Sequence, residues 1–270
     1  MPLRCYNIKT LGFLLILAGS VQAQEFIILN DSLALKSERL DVKMGSLLMG
    51  KIKKFSFGDY TIISSKAGGS SGSEKSNLFG TKTESRSTKK LSFVLSSSAD
   101  TVSVDAESTS VDQSQHQFEL TPGLTTGTEQ TLAEYNNLLA VITIHGDSST
   151  GWRLIFGSGR VAAKDNAKYE TVLTNGVRDI WLTQATSNKD FDFTKPFWFM
   201  GKVPAMGFEF NENGQFLCAV QYIGGGSMAA MNPKGCKVWM HRKPNSKMKL
   251  VLAAAMTTLL LMQSPASPVH

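Results

Sequence analysis

Apolar residues recur at every second position along most of the chain, and turn residues interrupt the pattern at short intervals. Lys90 to Leu95 and Thr101 to Val104 alternate on either side of a Ser-Ser-Ala-Asp turn, and Leu138 to Ile144 and Trp152 to Phe156 do so across HGDSSTG. Tyr169 to Thr174 and Val177 to Thr183 flank Asn175-Gly176, while Gly207 to Phe210 and Gln215 to Ile223 flank Asn213-Gly214. Period two is the signature of strands with one buried face. Asn-Gly favours a type I′ turn, because both central residues there need positive φ. Four antiparallel hairpins are therefore predicted. Further strands are predicted at 25–29, 51–57, 60–64, 115–120 and 237–241, about a dozen in all, at the spacing of a sandwich or barrel.

Three stretches depart from this pattern. Ser64 to Ser76, SSKAGGSSGSEKS, is Gly- and Ser-rich and reads as a flexible loop. Thr131-Leu132-Ala133-Glu134 has the form of a capping box and is expected to open a short helix. From residue 249 to 263 the alternation stops altogether. Between Leu250 and Met262 only Thr257 and Thr258 are polar, and they are adjacent rather than stacked on one face.

At roughly 1.5 Å per residue that run spans about 20 Å, short of the ~30 Å of bilayer hydrocarbon. Asn245-Ser246 stands too close to it for the spacer of a glycolipid-anchor tail. Met248 to Ala266 also has the outline of a second signal peptide. The remaining reading is a core helix: apolar all round, it must be covered all round. Burying about ten such side chains is worth of order 15–30 kcal/mol before entropy, more than the net stability of a typical domain.

At the other end, Arg4 and Lys9, the apolar run Leu11 to Leu17 and the A-x-A-like Val21-Gln22-Ala23 form a secretory signal peptide over 1–23. The expectation is an exported protein, periplasmic, cell-surface or secreted. The expected layout is one β-rich domain over 24–263 and a disordered tail from 264 to 270. The fold class is mainly β: a barrel or curled sandwich of antiparallel strands with a buried C-terminal helix.

Composition adds little to exclude and something to support. The chain has a formal charge of +6, and the signal peptide removes two of its cations. Acids and bases are interspersed, which lacks the clustered cationic field of a nucleic-acid binder. With 42% hydrophobic residues and 15 Phe, a substantial core is expected. Beyond Cys5 there are two cysteines, Cys218 and Cys236, on consecutive predicted strands. Either they pair, which is worth roughly 3 kcal/mol in the chain-entropy model, or they are two buried thiols. Their spacing without neighbouring His argues against a metal site, and no cofactor is expected.

A run of about a dozen strands, a strand ending in Val238-Trp239-Met240, then KMKLVLAAAMTTLLL closing the chain resembles the Tubby-like architecture, which includes the phospholipid-scramblase relatives. The resemblance implies a closed antiparallel barrel around the final helix, and a binding or membrane-surface role rather than catalysis. Export departs from that group.

Candidate chemistry is sparse. Leu29 to Leu33 and Gly146 to Ser149 resemble the GDSL hydrolase block, but the first lacks its glycine and no D-x-x-H follows, so both read as turns. A hydrolase would draw on His116, His145 or His241 with a nearby Ser and carboxylate. Asn188, Asp190 and Asp192 alternate as oxygen donors but fall short of the 6–8 a calcium site uses, and read as an acidic loop. Phe191, Phe193, Phe197, Trp198 and Phe199 are the densest aromatic stretch. They are expected either to plug one end of the barrel or to form an apolar rim for a lipid, an envelope surface, a glycan or a partner chain. The function expected is that of a non-catalytic binding or structural protein, with a hydrolase as the alternative.

Overall fold

The computed structural model describes residues 25–76, 82–117, 128–146, 151–161, 170–189, 203–225 and 235–264. The expected signal peptide, the aromatic run 191–199, Asp190, Asp192 and residues 265–270 lie outside these. In chain order the elements are α1 (Asp31–Lys36), β1 (Ser37–Asp41), β2 (Ser46–Leu48), β3 (Lys51–Lys53), β4 (Ser56–Phe57), β5 (Tyr60–Ala67), β6 (Ser71–Ser76), β7 (Lys82–Ser96) and β8 (Thr101–Gln117). They continue with β9 (Thr128–Ile144), β10 (Trp152–Val161), β11 (Glu170–Thr174), β12 (Asp179–Thr186), β13 (Met206–Glu212), β14 (Gln215–Ile223), β15 (Lys237–His241) and α2 (Ser246–Gln263).

Twelve strands pair antiparallel in the order β1-β15-β14-β13-β12-β11-β10-β9-β8-β7-β5-β4, a nearly closed barrel. Its ends meet at a seam, where Leu40 of β1 lies against Gly58 and a backbone bridge joins Lys43 to Ser56. Alternation decides which residues face inward. Leu91, Phe93 and Leu95 of β7, Val102, Val104 and Ala106 of β8, and Leu138, Ala140 and Ile142 of β9 are all buried. Outward positions on β8 read Thr101, Ser103, Asp105 and Glu107, so on this strand the apolar side faces in.

Helix α2 fills the inside. Asn245 caps it, its side chain accepting from Met248 N at 2.9 Å. Every residue from Leu250 to Met262 is buried. The helix packs on β14 and, across the barrel, on β8 and β9, strands far apart in the sheet order. No helix of the described residues is long and apolar enough to cross a membrane.

A second apolar layer lies outside the barrel. Residues 25–36 cross β13–β15, and Ile27, Leu33, Ala185, Ala205, Ala219 and Trp239 form a separate core there. Gln221 Oε1 accepts from Ile27 N at 3.0 Å and Glu209 Oε1 from Asn30 N at 2.6 Å, so two buried polar side chains hold the strap down. This is why β13–β15 are buried on both faces and read as continuous apolar runs.

Several expectations are corrected. Cys218 and Cys236 are free buried thiols, not a disulfide. Cys218 stands opposite Met240, and the neighbouring pair Gln221–Lys237 places Cys236 four residues further along the ladder, about 13 Å away. Burial raises both thiol pKa values, leaving them inert at neutral pH. Most of the Gly/Ser stretch 64–76 is strand and not loop: 64–67 end β5, 71–76 form β6, an exposed strand paired to β7, and only 68–70 connect them. Such pairing leaves no apolar period to read. The capping-box segment 131–134 continues strand β9, because register with β8 and β10 overrides a local helix signal. Asn30 instead caps the helix α1, where a turn was expected.

The Asn213-Gly214 turn is the two-residue type anticipated, with φ of 51° and 84° and Glu212 opposite Gln215. Around Asn175 the loop is wider, closing between Thr174 and Asp179. There Asn175 Oδ1 accepts from Val177 N and Arg178 N, an Asx-type turn that replaces the tight one.

Candidate functional site

The segment LLAVITI of β9 is apolar on both faces. Leu138, Ala140, Ile142 and Ile144 enter the core, which leaves Leu139 and Val141 outside. Register carries this outer row across four strands: Leu139 stands opposite Ile155 of β10, Ile155 opposite Val172 of β11, and Val172 opposite Trp181 of β12. Leu139, Ile155 and Trp181 are 49%, 41% and 54% exposed. Directly opposed residues on one sheet face lie about 4.5–5.5 Å apart, so these side chains form one apolar band rather than scattered contacts. Tyr135, two turns of the alternation from Leu139, is exposed on the same face.

The rim of the band is charged in both signs. Glu107 lies opposite Leu139 and pairs with Lys90 at 3.2 Å. Asp105 and Arg153 flank Val141. Away from the outer band, Arg178 lies over the ring of the buried core residue Trp152 at 5.9 Å and forms a bidentate pair with Glu212, with two 2.7 Å hydrogen bonds. That pair holds the Glu212 carboxyl below, and the Arg178 guanidinium above, their ordinary pKa values.

The histidines fall in three places. His145 follows β9, and its ring is bracketed by hydroxyls: Thr101 Oγ1 lies 3.0 Å from Nδ1 and Ser103 Oγ is hydrogen-bonded to Nε2. The partner on Nδ1 is thus a hydroxyl, where a catalytic triad places the carboxylate that orients the ring. His145 is exposed, on the outside of the sheet. His241 is buried at the end of β15, with Nδ1 accepting from Lys243 N at 2.9 Å. Burial lowers its pKa, reinforced by Lys36, Lys243 and Lys249. His116 lies on the far part of β8, paired with Glu129 of β9. The three are therefore not brought together. Among the described residues no group of His, Cys, Asp and Glu converges as a metal site.

The five aromatic candidates, Phe191, Phe193, Phe197, Trp198 and Phe199, lie outside the described residues. Sequence reasoning missed the outer band, although the double-faced apolar composition of β9 carried the signal. No family model, curated protein or solved structure matches the chain. None of these comparisons supports the expected likeness to the Tubby-like group.

Proposed function

We propose that this is an exported, non-catalytic binding protein that works as a solid scaffold and presents the outer face of β9–β12 to the apolar surface of a partner. The observation that carries the reading is the registered row Leu139–Ile155–Val172–Trp181. Exposed apolar residues gathered in a band with a polar rim mark interaction surfaces, whereas single ones do not. Its mixed rim, with Arg and aromatic residues close by, matches the anatomy of protein–protein contacts better than the uniform cationic surface that an anionic membrane attracts. The inside of the barrel is occupied by α2, which favours an external surface over an enclosed hydrophobic ligand.

A photo-crosslinking residue at position 155 or 181, introduced in cells that produce the protein, is expected to trap a discrete adduct. The same residue at Ser73, on the exposed strand β6 that lies outside the β9–β12 face, is expected to trap none. Equal capture at all three positions contradicts the proposal. Export itself predicts an intact mass that begins at Gln24.

The Ser103–His145 contact favours hydrolysis as the second reading. A fluorophosphonate that labels Ser103 supports it, and we expect no labelling because, among the described residues, the ring's other nitrogen faces the Thr101 hydroxyl and not a carboxylate.

A further inference from the structure

A cleft of about 290 Å³ opens at the barrel seam, away from the β9–β12 face. Five separate segments build it: β1, the β4–β5 turn, the β7–β8 turn, the end of β15 and the first turn of α2. Four charged side chains of both signs share its wall: Glu38, Asp59, Arg242 and Lys249. Ion pairs elsewhere on the described surface include Lys90–Glu107, Arg178–Glu212 and Lys237–Asp41. Among the described residues, no ion pair involves any of the four in the cleft.

The cationic side is reinforced by its setting. Lys249 sits on the first turn of α2, which contains no acidic residue, although a helix start favours negative charge. Nearby His241 has its pKa lowered first by burial and then by Lys36, Lys243 and Lys249. The carboxylates on the wall are those of Glu38 and Asp59, and the half-buried Tyr60 also lines the cleft. Burial and Asp59 both raise the Tyr60 pKa, so that group stays a neutral donor.

We propose that the seam cleft binds a small zwitterion, a phosphate ester that also carries a primary ammonium, as in a phosphoethanolamine group. Its phosphate, with one negative charge as the lipid diester and close to two as the free monoester, matches Arg242 and Lys249. An ammonium with three N–H donors matches two carboxylates. The volume suits a head-group-sized molecule and is below that of drug-sized pockets. The group has two sources, a free solute and a phosphatidylethanolamine membrane, and the experiment separates them.

Calorimetric titration of the full chain with O-phosphoethanolamine, inorganic phosphate and ethanolamine is the test. The zwitterion is expected to bind at least tenfold more tightly than either half. The double variant Glu38→Gln/Asp59→Asn should bind phosphate and the zwitterion equally. Arg242→Gln/Lys249→Gln should lose both. All four side chains are at least partly exposed, so the variants should melt like the wild type, which a thermal scan verifies. Co-sedimentation with phosphatidylethanolamine but not phosphatidylcholine vesicles, lost in the same variants, assigns the lipid source. Titration of the soluble ester alone assigns the free one. Equal affinity of the wild type for zwitterion and phosphate, absence of binding in both formats, or binding that survives both double variants overturns the proposal.

Discussion

Lys43 and Ser56 exchange two backbone hydrogen bonds, Lys43 N to Ser56 O at 2.8 Å and Ser56 N to Lys43 O at 3.0 Å. Strand β1 pairs with β15 through Asp41, and two residues later the same chain bridges to β4 at the other end of the sheet order. One short segment thus ties the two edges of the barrel. Lys43→Pro removes one donor and should cost about 0.5–1.5 kcal/mol in denaturant melts, the net worth of one hydrogen bond. It should also speed amide exchange in β1 and β4 first. An unchanged midpoint would show that the seam adds nothing to closure.

Glu209 contributes a pH dependence. It is buried beneath the strap, and desolvation raises its pKa although Asn30 N donates to the carboxylate. A carboxyl whose folded pKa lies above its unfolded value binds more protons in the native state, so stability falls as pH rises from about 4.3 through the folded pKa. Glu209→Gln keeps an acceptor for Asn30 N and removes the buried charge. It should raise the melting midpoint at pH 7, and the gain should vanish near pH 4. A loss of stability equal at both pH values would contradict this.

Two adjacent threonines of α2 should respond in opposite directions. Thr258 Oγ1 donates to Ala254 O at 2.9 Å, while Thr257 Oγ1 is buried without a partner. Thr257→Val removes an unsatisfied hydroxyl at nearly constant shape and should be neutral or stabilise by up to about 1 kcal/mol. Thr258→Val should cost about 0.5–1.5 kcal/mol. Chemical denaturation of both variants decides, and a clear loss for Thr257→Val would place a partner on that oxygen.

Gly207 sits where β13 and β14 shift register, and a Cβ there would collide with Val220 O and lie 3.0 Å from Gln221 Cα. Both are backbone atoms and cannot swing aside. Gly207→Ala should therefore destabilise by about 1–3 kcal/mol or more, as overpacking does, whereas Gly69→Ala, with open space around it, should be near neutral. Equal melting of the two variants would rule out a close-approach role for Gly207.

The inner face of the barrel was legible because Leu91, Phe93 and Leu95 alternate with polar residues, and water on one side enforces that alternation. The terminal helix was legible because Leu250 to Met262 offers no polar face to solvent. Both signals are local. Strand ends were harder: Lys82 to Lys90 pairs with β8 through its backbone, so its side chains show no period. The strap over β13–β15 depends on Gln221 and Glu209, about 180 residues or more from their partners. The seam cleft brings Glu38, Asp59, Arg242 and Lys249 together only once the sheet has curled, and nothing in their spacing announces it. The same holds for the separation of Cys218 from Cys236, which register alone decides.

The central claim is that β-structure encloses α2. Native-state hydrogen exchange of the intact chain tests it most directly, since an enclosed helix opens only with the whole domain. The amides of Leu250 to Met262 should be among the slowest in the protein, exchanging with the free energy of global unfolding and the denaturant dependence of β8 and β14. Exchange of those amides as fast as the exposed strand Ser71–Ser76, while β8 remains protected, would show that the helix leaves the barrel independently and would contradict the account.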